Sequence, residues 1–406
     1  MKAAKNQFGT KLAVRKIKQE EMMEFNKIGT VAFASSRDFS EELKNPLAFS
    51  AGFEHTWGAF QDGIMTAGLW TLPYEVSFDG KIVPMAGIGT VASLPQYRGK
   101  GAIGQILYEA MKEMKDKGQM FSYLYPFSHE FYRKFGYEMG FQRRVAHFPL
   151  SGLKDRKPVG QLSFFQKGDA LLPYQQIHDI FISHYNLAIK RSEAALKDFL
   201  DQDSYSSKQY TYLWHSPTGT AKSYVTFKPE QGNENGFQMK ICDFAWMDSE
   251  GLQGMLSWLG RFEAQYKEVC WEVPDGVDIF ALLSEPFDTQ VRLECGGMNR
   301  IIDAQKVLEG LKVPEGEGQA VIQVMDGFLP WNNGIYYISW SGGKLVVINT
   351  EQVPDTAVSI QVLTRLATGY YTPATAELSG HLKIAKNSRG LNKLFIKKNA
   401  YLNDRF

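Results

Sequence analysis

The sequence predicts an α+β chain built from three successive units. Up to about residue 146 the periodic segments run β-α-β-β-β-α-β-α-β; a strand-strand-strand-helix-strand succession recurs between 147 and 298; from 299 onward, strand-like runs alternate with one-sided helices. At 406 residues the chain exceeds what one hydrophobic core supports, so units are expected at 1–146, 147–298 and 299–406.

Residues 12–18 alternate apolar and polar and read as a strand, and 20–33 read as a helix with Met22, Phe25 and Ile28 among its apolar positions. The runs 55–60, 64–74 and 81–93 are strand-like, and Asp62-Gly63 and Asp79-Gly80 between them mark hairpin turns, which makes an antiparallel meander. Leu94-Pro95 ends the meander. From 101 to about 117, Ile103, Ile106, Leu107, Ala110, Met111 and Met114 recur on one helical face, and Gly118 terminates that helix. Residues 120–126 read as a strand, and Ser128 as the N-cap of a short helix that stops at Gly136.

In the second unit the expectation is a helix over 177–200, strands over 209–214 and 221–228, a polar turn over 231–236, a strand over 237–246, a helix over 249–264 and a strand over 269–273. The third unit reads as a helix over 300–311, strands over 319–326, 334–341 and 344–350, and helices around 359–368, 374–378 and 389–394.

Lys plus Arg number 45 against 44 Asp plus Glu, so no global field would hold the chain on nucleic acid or an acidic membrane, and any anion site must be local. Cys242, Cys270 and Cys295 are far apart and without a CxxC or His-rich neighbour, which points to reduced core thiols, with neither a disulfide framework nor a metal site. The basic N-terminus lacks the apolar segment of a signal peptide, and no apolar run reaches about 18 residues, so a cytoplasmic protein without a membrane span is expected.

One segment carries chemistry. Gln96-Tyr97-Arg98-Gly99-Lys100-Gly101-Ala102-Ile103-Gly104 joins the meander to an amphipathic helix and sets three glycines and two cations within seven residues. Glycines let consecutive N–H groups turn toward a ligand, and the helix start adds roughly half a positive charge, so a pyrophosphate is the natural occupant. A Walker loop would end in GKS or GKT, and a Rossmann fingerprint would follow a βαβ unit; neither condition is met.

The element order together with Val91-Ala92-Ser93-Leu94-Pro95-Gln96-Tyr97-Arg98-Gly99-Lys100-Gly101 resembles the GNAT superfamily of N-acetyltransferases, whose cofactor turn is Arg/Gln-x-x-Gly-x-Gly/Ala; this chain reads Arg98-x-x-Gly101-x-x-Gly104. The resemblance implies acetyl-CoA as co-substrate, with its pyrophosphate on Arg98, Gly99, Lys100, Gly101, Ala102, Ile103 and Gly104. It also implies a pantetheine arm along Val91, Ala92 and Ser93, and Phe127 and Ser128 beside the thiol.

The three units, the segment Phe131-Tyr132-Arg133-Lys134-Phe135-Gly136-Tyr137, the start Asn299-Arg300-Ile301-Ile302-Asp303 and the terminal Phe406 are similar to the Eis (enhanced intracellular survival) group. That likeness covers essentially the whole chain. It implies two tandem GNAT-like domains, the second degenerate, and a sterol-carrier-protein-like third domain whose C-terminus reaches the active site. It further implies acetylation of small-molecule amines such as aminoglycosides, a homo-hexamer, Tyr132 as general acid and the α-carboxylate of Phe406 as base.

A phenol near pKa 10 suits protonation of a departing thiolate whose parent thiol lies near 8.5. With no Cys near the turn to carry an acyl group, direct attack in a ternary complex is expected. The penultimate Arg405 is a cation where a polyamine site favours an acid; Asp404, Asp38, Glu41 and Glu42 are either compensating acids or solvated surface charges. Two other readings are acetylation of protein or peptide lysines, and an acyl-CoA or lipid binding module built on Phe328, Trp331, Tyr336, Tyr337 and Trp340, rings that otherwise form a core.

Overall fold

The opening β-α-β-β-β succession folds as its periodicity predicts in the computed structural model, which describes residues 12–36, 38, 40, 44, 50–232 and 236–404. The first unit comprises β1 (Leu12–Lys16), α1 (Met22–Ala32), β2 (Thr56–Gln61), β3 (Ile64–Phe78), β4 (Lys81–Ser93), α2 (Ala102–Asp116), β5 (Phe121–Leu124), α3 (His129–Arg133) and β6 (Glu138–Met139). The second comprises β7 (Gln142–Pro149), β8 (Gln161–Phe164), α4 (Leu172–Ser183), β9 (Ile189–Lys190), α5 (Glu193–Leu200), α6 (Ser204–Ser207), β10 (Tyr210–His215), β11 (Ala221–Gln231), β12 (Phe237–Trp246), α7 (Ser249–Leu259), β13 (Tyr266–Glu272), α8 (Ile279–Leu282) and β14 (Gln290–Cys295). There follow β15 (Met298–Ile301), α9 (Ala304–Gly310), β16 (Gly318–Met325), β17 (Gly334–Ser341), β18 (Lys344–Asn349), β19 (Thr356–Ser359), α10 (Ile360–Ala367), α11 (Pro373–Leu378) and α12 (Ser388–Leu394).

Three sheets result. The first is ordered β1-β2-β3-β4-β5-β15-β6 with β9 on the edge of β3, the second β14-β7-β13-β12-β11-β10-β8, and the third β18-β17-β16-β19. The first two exchange strands: β15, which follows the second unit in sequence, pairs with β5 and β6, while β7, which follows the first, lies between β13 and β14.

Helix α2 packs one face of the first sheet, burying Ile106, Leu107, Ala110, Met111 and Met114 against Ala67 and Leu69. Helix α1 covers the other face with Met22, Phe25 and Ile28 against Met65 and Ala92. Each such Leu, Ile, Met or Phe contributes about 1.5–3 kcal/mol by leaving water. The far end of the same sheet shares a continuous core with the third unit, where Phe78, Phe121 and Tyr123 meet Val307, Leu308 and Ile322. The hairpin residue Asp79 joins all three units, its carboxylate accepting from Lys312 N at 2.7 Å, Lys398 Nζ at 2.7 Å and Asn186 Nδ2 at 3.1 Å.

Several expected elements are corrected. The helix expected over 300–311 starts only at Ala304, capped by Asp303, because Met298–Ile301 is a fully buried strand, and a short apolar run does not distinguish strand from helix. The helix expected over 177–200 is two helices, broken where Leu187 takes a φ of 75° and Ile189–Lys190 adds to the edge of β3. Strand β19, which the sequence pattern does not announce, runs parallel to β16. Of the polar turn over 231–236, residues 233–235 lie outside the described residues. The thiols are free as expected, but only Cys270 is in the core; Cys242 and Cys295 are exposed. No helix among the described residues is long and apolar enough to cross a membrane.

Candidate active site

Strands β4 and β5 run parallel from Met85–Phe121 to Ile88–Leu124, where their ladder ends. On its other edge β4 carries a bulge: Gly68 faces Ala92 and Trp70 faces Gly89, so Leu69 opposes both Thr90 and Val91, and Thr90 takes a left-handed φ of 46°. The bulge turns β4 away from β5, and the gap opens onto the start of α2.

That start is an anion site by construction. Gly101 is the N-cap at φ 81°, a conformation that L side chains rarely adopt, and it offers no capping side chain. The first intrahelical bond is donated by Gln105 to Gly101 O at 3.1 Å, so the amides of Ala102, Ile103 and Gly104 precede the helical ladder. Arg98 is exposed on the same turn, and the Lys100 ammonium stands 5.0 Å over the Tyr97 ring.

A cleft of about 570 Å³ fills the gap, within the range of small-molecule sites. Its walls include Val91, Ala92, Ser93, Arg98, Gly99, Lys100, Gly101, Ala102, Ile103, Gly104 and Phe127. Ser128 stands apart from this lining; its Oγ accepts the Phe131 N–H at 3.3 Å and caps α3. Sequence reasoning missed Phe33, Phe131 and Phe135 as further walls. The i,i+4 spacing of the last two is a usable signal; the distant Phe33 has none. The cleft therefore combines uncapped amides and cations at one end with apolar rings at the other, a donor and surface set that fits a pyrophosphate with an extended apolar-tolerant arm.

The second unit shows the contrast. At the corresponding helix α7, Asp248 caps the start by accepting from Gly251 N at 2.9 Å, and Lys222 bonds Asp248 at 2.8 Å and Glu250 at 2.5 Å. The protein's own carboxylates occupy that anion position, and a Cβ on Gly251 would lie 2.5 Å from Lys222 O.

Tyr132 lies on α3, 2% exposed, with its ring 5.4 Å from Phe127 and 5.1 Å from Phe131, directly behind two walls of the cleft. Burial, and secondarily Tyr137, push its phenol well above the usual tyrosine value, so it remains protonated at neutral pH. The third unit braces this short helix. Gln361 Nε2 donates to Arg133 O at 3.1 Å, Arg365 pairs with Glu138 at 2.8 Å, and Arg300 donates to Phe135 O. Arg300 is fully buried and paired with Asp326 at 2.5 Å, and it passes so close to Gly136 that a Cβ there would overlap Nη1.

The C-terminal tail docks between the units. Leu402 is buried, and Tyr401 packs on Phe181 and Tyr185. Asn403 Oδ1 accepts from Ile189 N at 2.7 Å, and Asp404 O accepts from Tyr125 Oη at 2.8 Å. Arg405 and Phe406 lie outside the described residues, as do Glu41 and Glu42. Asp404 is neither a free acid nor a solvated surface charge, since it pairs with Arg191 at 2.7 Å. Asp38 is exposed, and its carboxylate accepts from Ser40 N at 2.9 Å. Of the third unit's aromatics, Tyr336 and Trp340 are core residues, while Phe328 and Trp331 pack on Tyr108 of α2 at 5.9 and 6.0 Å.

Comparison with known families places this architecture. One acetyltransferase (GNAT) domain family matches residues 13–140, and a second matches 187–301. The chain carries two GNAT domains. It is thus an acyltransferase, and a sterol carrier protein domain matched over 304–403 follows the GNAT pair. No curated protein matches it by sequence. Among solved structures, a GCN5-related N-acetyltransferase from Anabaena variabilis aligns with a TM-score of 0.85 at 23% identity, covering 98% of this chain and 100% of that one. An Enterococcus faecalis protein described as a probable N-acyltransferase aligns at 0.84 with 25% identity, covering 98% and 100%. Eis1 from Mycobacterium abscessus aligns at 0.79 with 17% identity, covering 97% and 100%. These structures share the whole three-domain fold of this chain.

Proposed function

We propose that the protein transfers the acetyl group of acetyl-CoA to an amine of a small molecule, by direct attack in a ternary complex at the N-terminal GNAT domain. The observation that carries this is the splay of β4 from β5 onto an uncapped, cation-flanked helix start, against the self-occupied start of α7 in the second GNAT domain. Acetyl-CoA supplies an activated thioester. The amides of Ala102, Ile103 and Gly104 with Arg98 and Lys100 hold its pyrophosphate, the backbone of Val91, Ala92 and Ser93 pairs with the pantetheine arm, and Phe127 borders the thiol.

The neutral amine forms the C–N bond as the C–S bond breaks, and Tyr132 gives its phenolic proton to the departing thiolate. The α-carboxylate of Phe406, a group that ordinarily titrates near pH 3.5, attracts the ammonium and relays its proton through water more than it acts as a strong base. Compounds with several amines, aminoglycosides among them, are the first acceptors to assay. The same reading includes a cytoplasmic homo-hexamer, which light scattering tests; a monomer overturns that part.

Gly101→Val raises the KM for acetyl-CoA about tenfold with little change in kcat, because a side chain costs about 1–2 kcal/mol in the left-handed conformation of the cap. The deciding experiment follows thiol release from acetyl-CoA over a panel of amines, for the full chain and for one lacking Phe406. Amine-dependent turnover that falls about 100-fold or more without Phe406 supports the reading; acetyl-CoA binding with no amine turned over overturns it.

A further inference from the structure

Tyr132 rides on a helix of five residues, too short to hold its own place, so the position of its phenol is set from outside. Much of that support comes from one helix of the third domain. Gln361 and Arg365 lie one turn apart on α10, and both converge on Arg133, the residue after Tyr132. Gln361 Nε2 donates to the Arg133 carbonyl at 3.1 Å. Arg365 acts through Glu138 of β6, whose two carboxylate oxygens accept from Arg133 Nε and Nη2 at 3.0 Å each while Oε1 also takes Arg365 Nη2 at 2.8 Å.

Both members of the Glu138–Arg365 pair are themselves pinned. Arg365 is 6% exposed and donates through Nε to Met139 O at 3.2 Å and through Nη1 to Tyr371 Oη at 3.1 Å. Glu138 is buried, accepts from Met139 N at 2.9 Å and pairs in the sheet with Asn299 of β15. Burial raises the Glu138 carboxyl, but the bonds from Arg133 and Met139 N and the charge of Arg365 outweigh it and hold the group below the usual glutamate value, so it is ionised at neutral pH. A buried ion pair adds little net stability over apolar side chains of the same volume. What this one adds is a fixed direction for Arg133, and hence for the turn of helix that carries the phenol. We propose that Arg365, acting through Glu138 and beside Gln361, is a positioning residue for acetyl transfer: the third domain sets where the Tyr132 hydroxyl stands relative to the cleft. None of the three side chains lines the cleft itself. This rests on the reading of Tyr132 as the donor of the proton to the departing thiolate.

The test is Glu138→Gln, which keeps the side-chain shape but removes the charge that two guanidinium groups grip. Single-turnover thiol release is expected to fall about 10- to 100-fold, the upper figure being the scale of a 1 Å misplacement, with acetyl-CoA affinity unchanged. In a chain already carrying Tyr132→Phe, the same substitution has no further effect, because no phenolic proton is left to place; a packing defect would slow both backgrounds alike. Gln361→Leu, which removes only the exposed bond to Arg133 O, gives a smaller fall of the same kind and serves if Glu138→Gln does not fold. Unchanged rates in the folded variants, a parallel loss of acetyl-CoA affinity, or equal losses with and without the Tyr132 hydroxyl overturn the proposal and leave the reading of Tyr132 standing. If Tyr132→Phe is itself silent, that reading fails and the positioning role fails with it.

Discussion

Tyr132→Phe lowers the rate of acetyl transfer about 100-fold or more while acetyl-CoA binds as tightly as before. The substitution removes one oxygen and keeps the ring packing against Phe127, Phe131 and Tyr137. The folded state should therefore change by no more than about 1 kcal/mol. Because burial holds the phenol above its ordinary value, the wild-type rate shows no fall on the alkaline side below about pH 10. Single-turnover thiol release, with acetyl-CoA affinity measured by calorimetry, separates the chemical step from binding. Equal single-turnover rates would make Tyr132 a packing residue only.

The largest expected loss of stability comes from Asp326→Ala. The Asp326 carboxylate accepts from Arg300 Nη2 at 2.5 Å, Asn332 Nδ2 at 2.9 Å, and the amides of Phe328 and Leu329 at 3.0 and 2.9 Å. Removing it leaves the guanidinium of Arg300 buried without its counter-charge, a defect worth about 3–5 kcal/mol. The urea midpoint should drop accordingly. Arg300→Met, which leaves Asp326 with its other three donors, costs less. It should still slow acetyl transfer, because Arg300 also holds Phe135 O at the end of the helix that carries Tyr132. If Asp326→Ala unfolds at the wild-type midpoint, the pair is not a keystone of the seam between the first and third units.

What can be read from the chain is what is contiguous in it. The turn from Arg98 to Gly104 declares itself by glycine and cation spacing within a few residues, and Asp79-Gly80 declares its hairpin in the same way. The partners of these segments are illegible because they arrive from far along the sequence. Nothing near Asp79 foretells that Lys312 and Lys398 will close on it, and nothing near Asp404 foretells Arg191. Strand β15 reads as helix because Asn299-Arg300-Ile301-Ile302 has no polar alternation, and a strand buried on both faces needs none. Phe33 reaches the cleft through the packing of α1, which only tertiary structure decides.

The exchanged strands bear on how the protein is made. As the chain leaves the ribosome, β5 emerges long before Met298–Ile301, the segment that pairs beside it, has been translated. Until then its outer edge exposes unsatisfied backbone groups that invite pairing with other nascent chains. The sheet of the first GNAT domain lacks β15 until the second has been synthesised, and contacts of such long sequence separation form slowly. The order of the strands thus leaves the β5 edge open for as long as the second GNAT domain takes to be made.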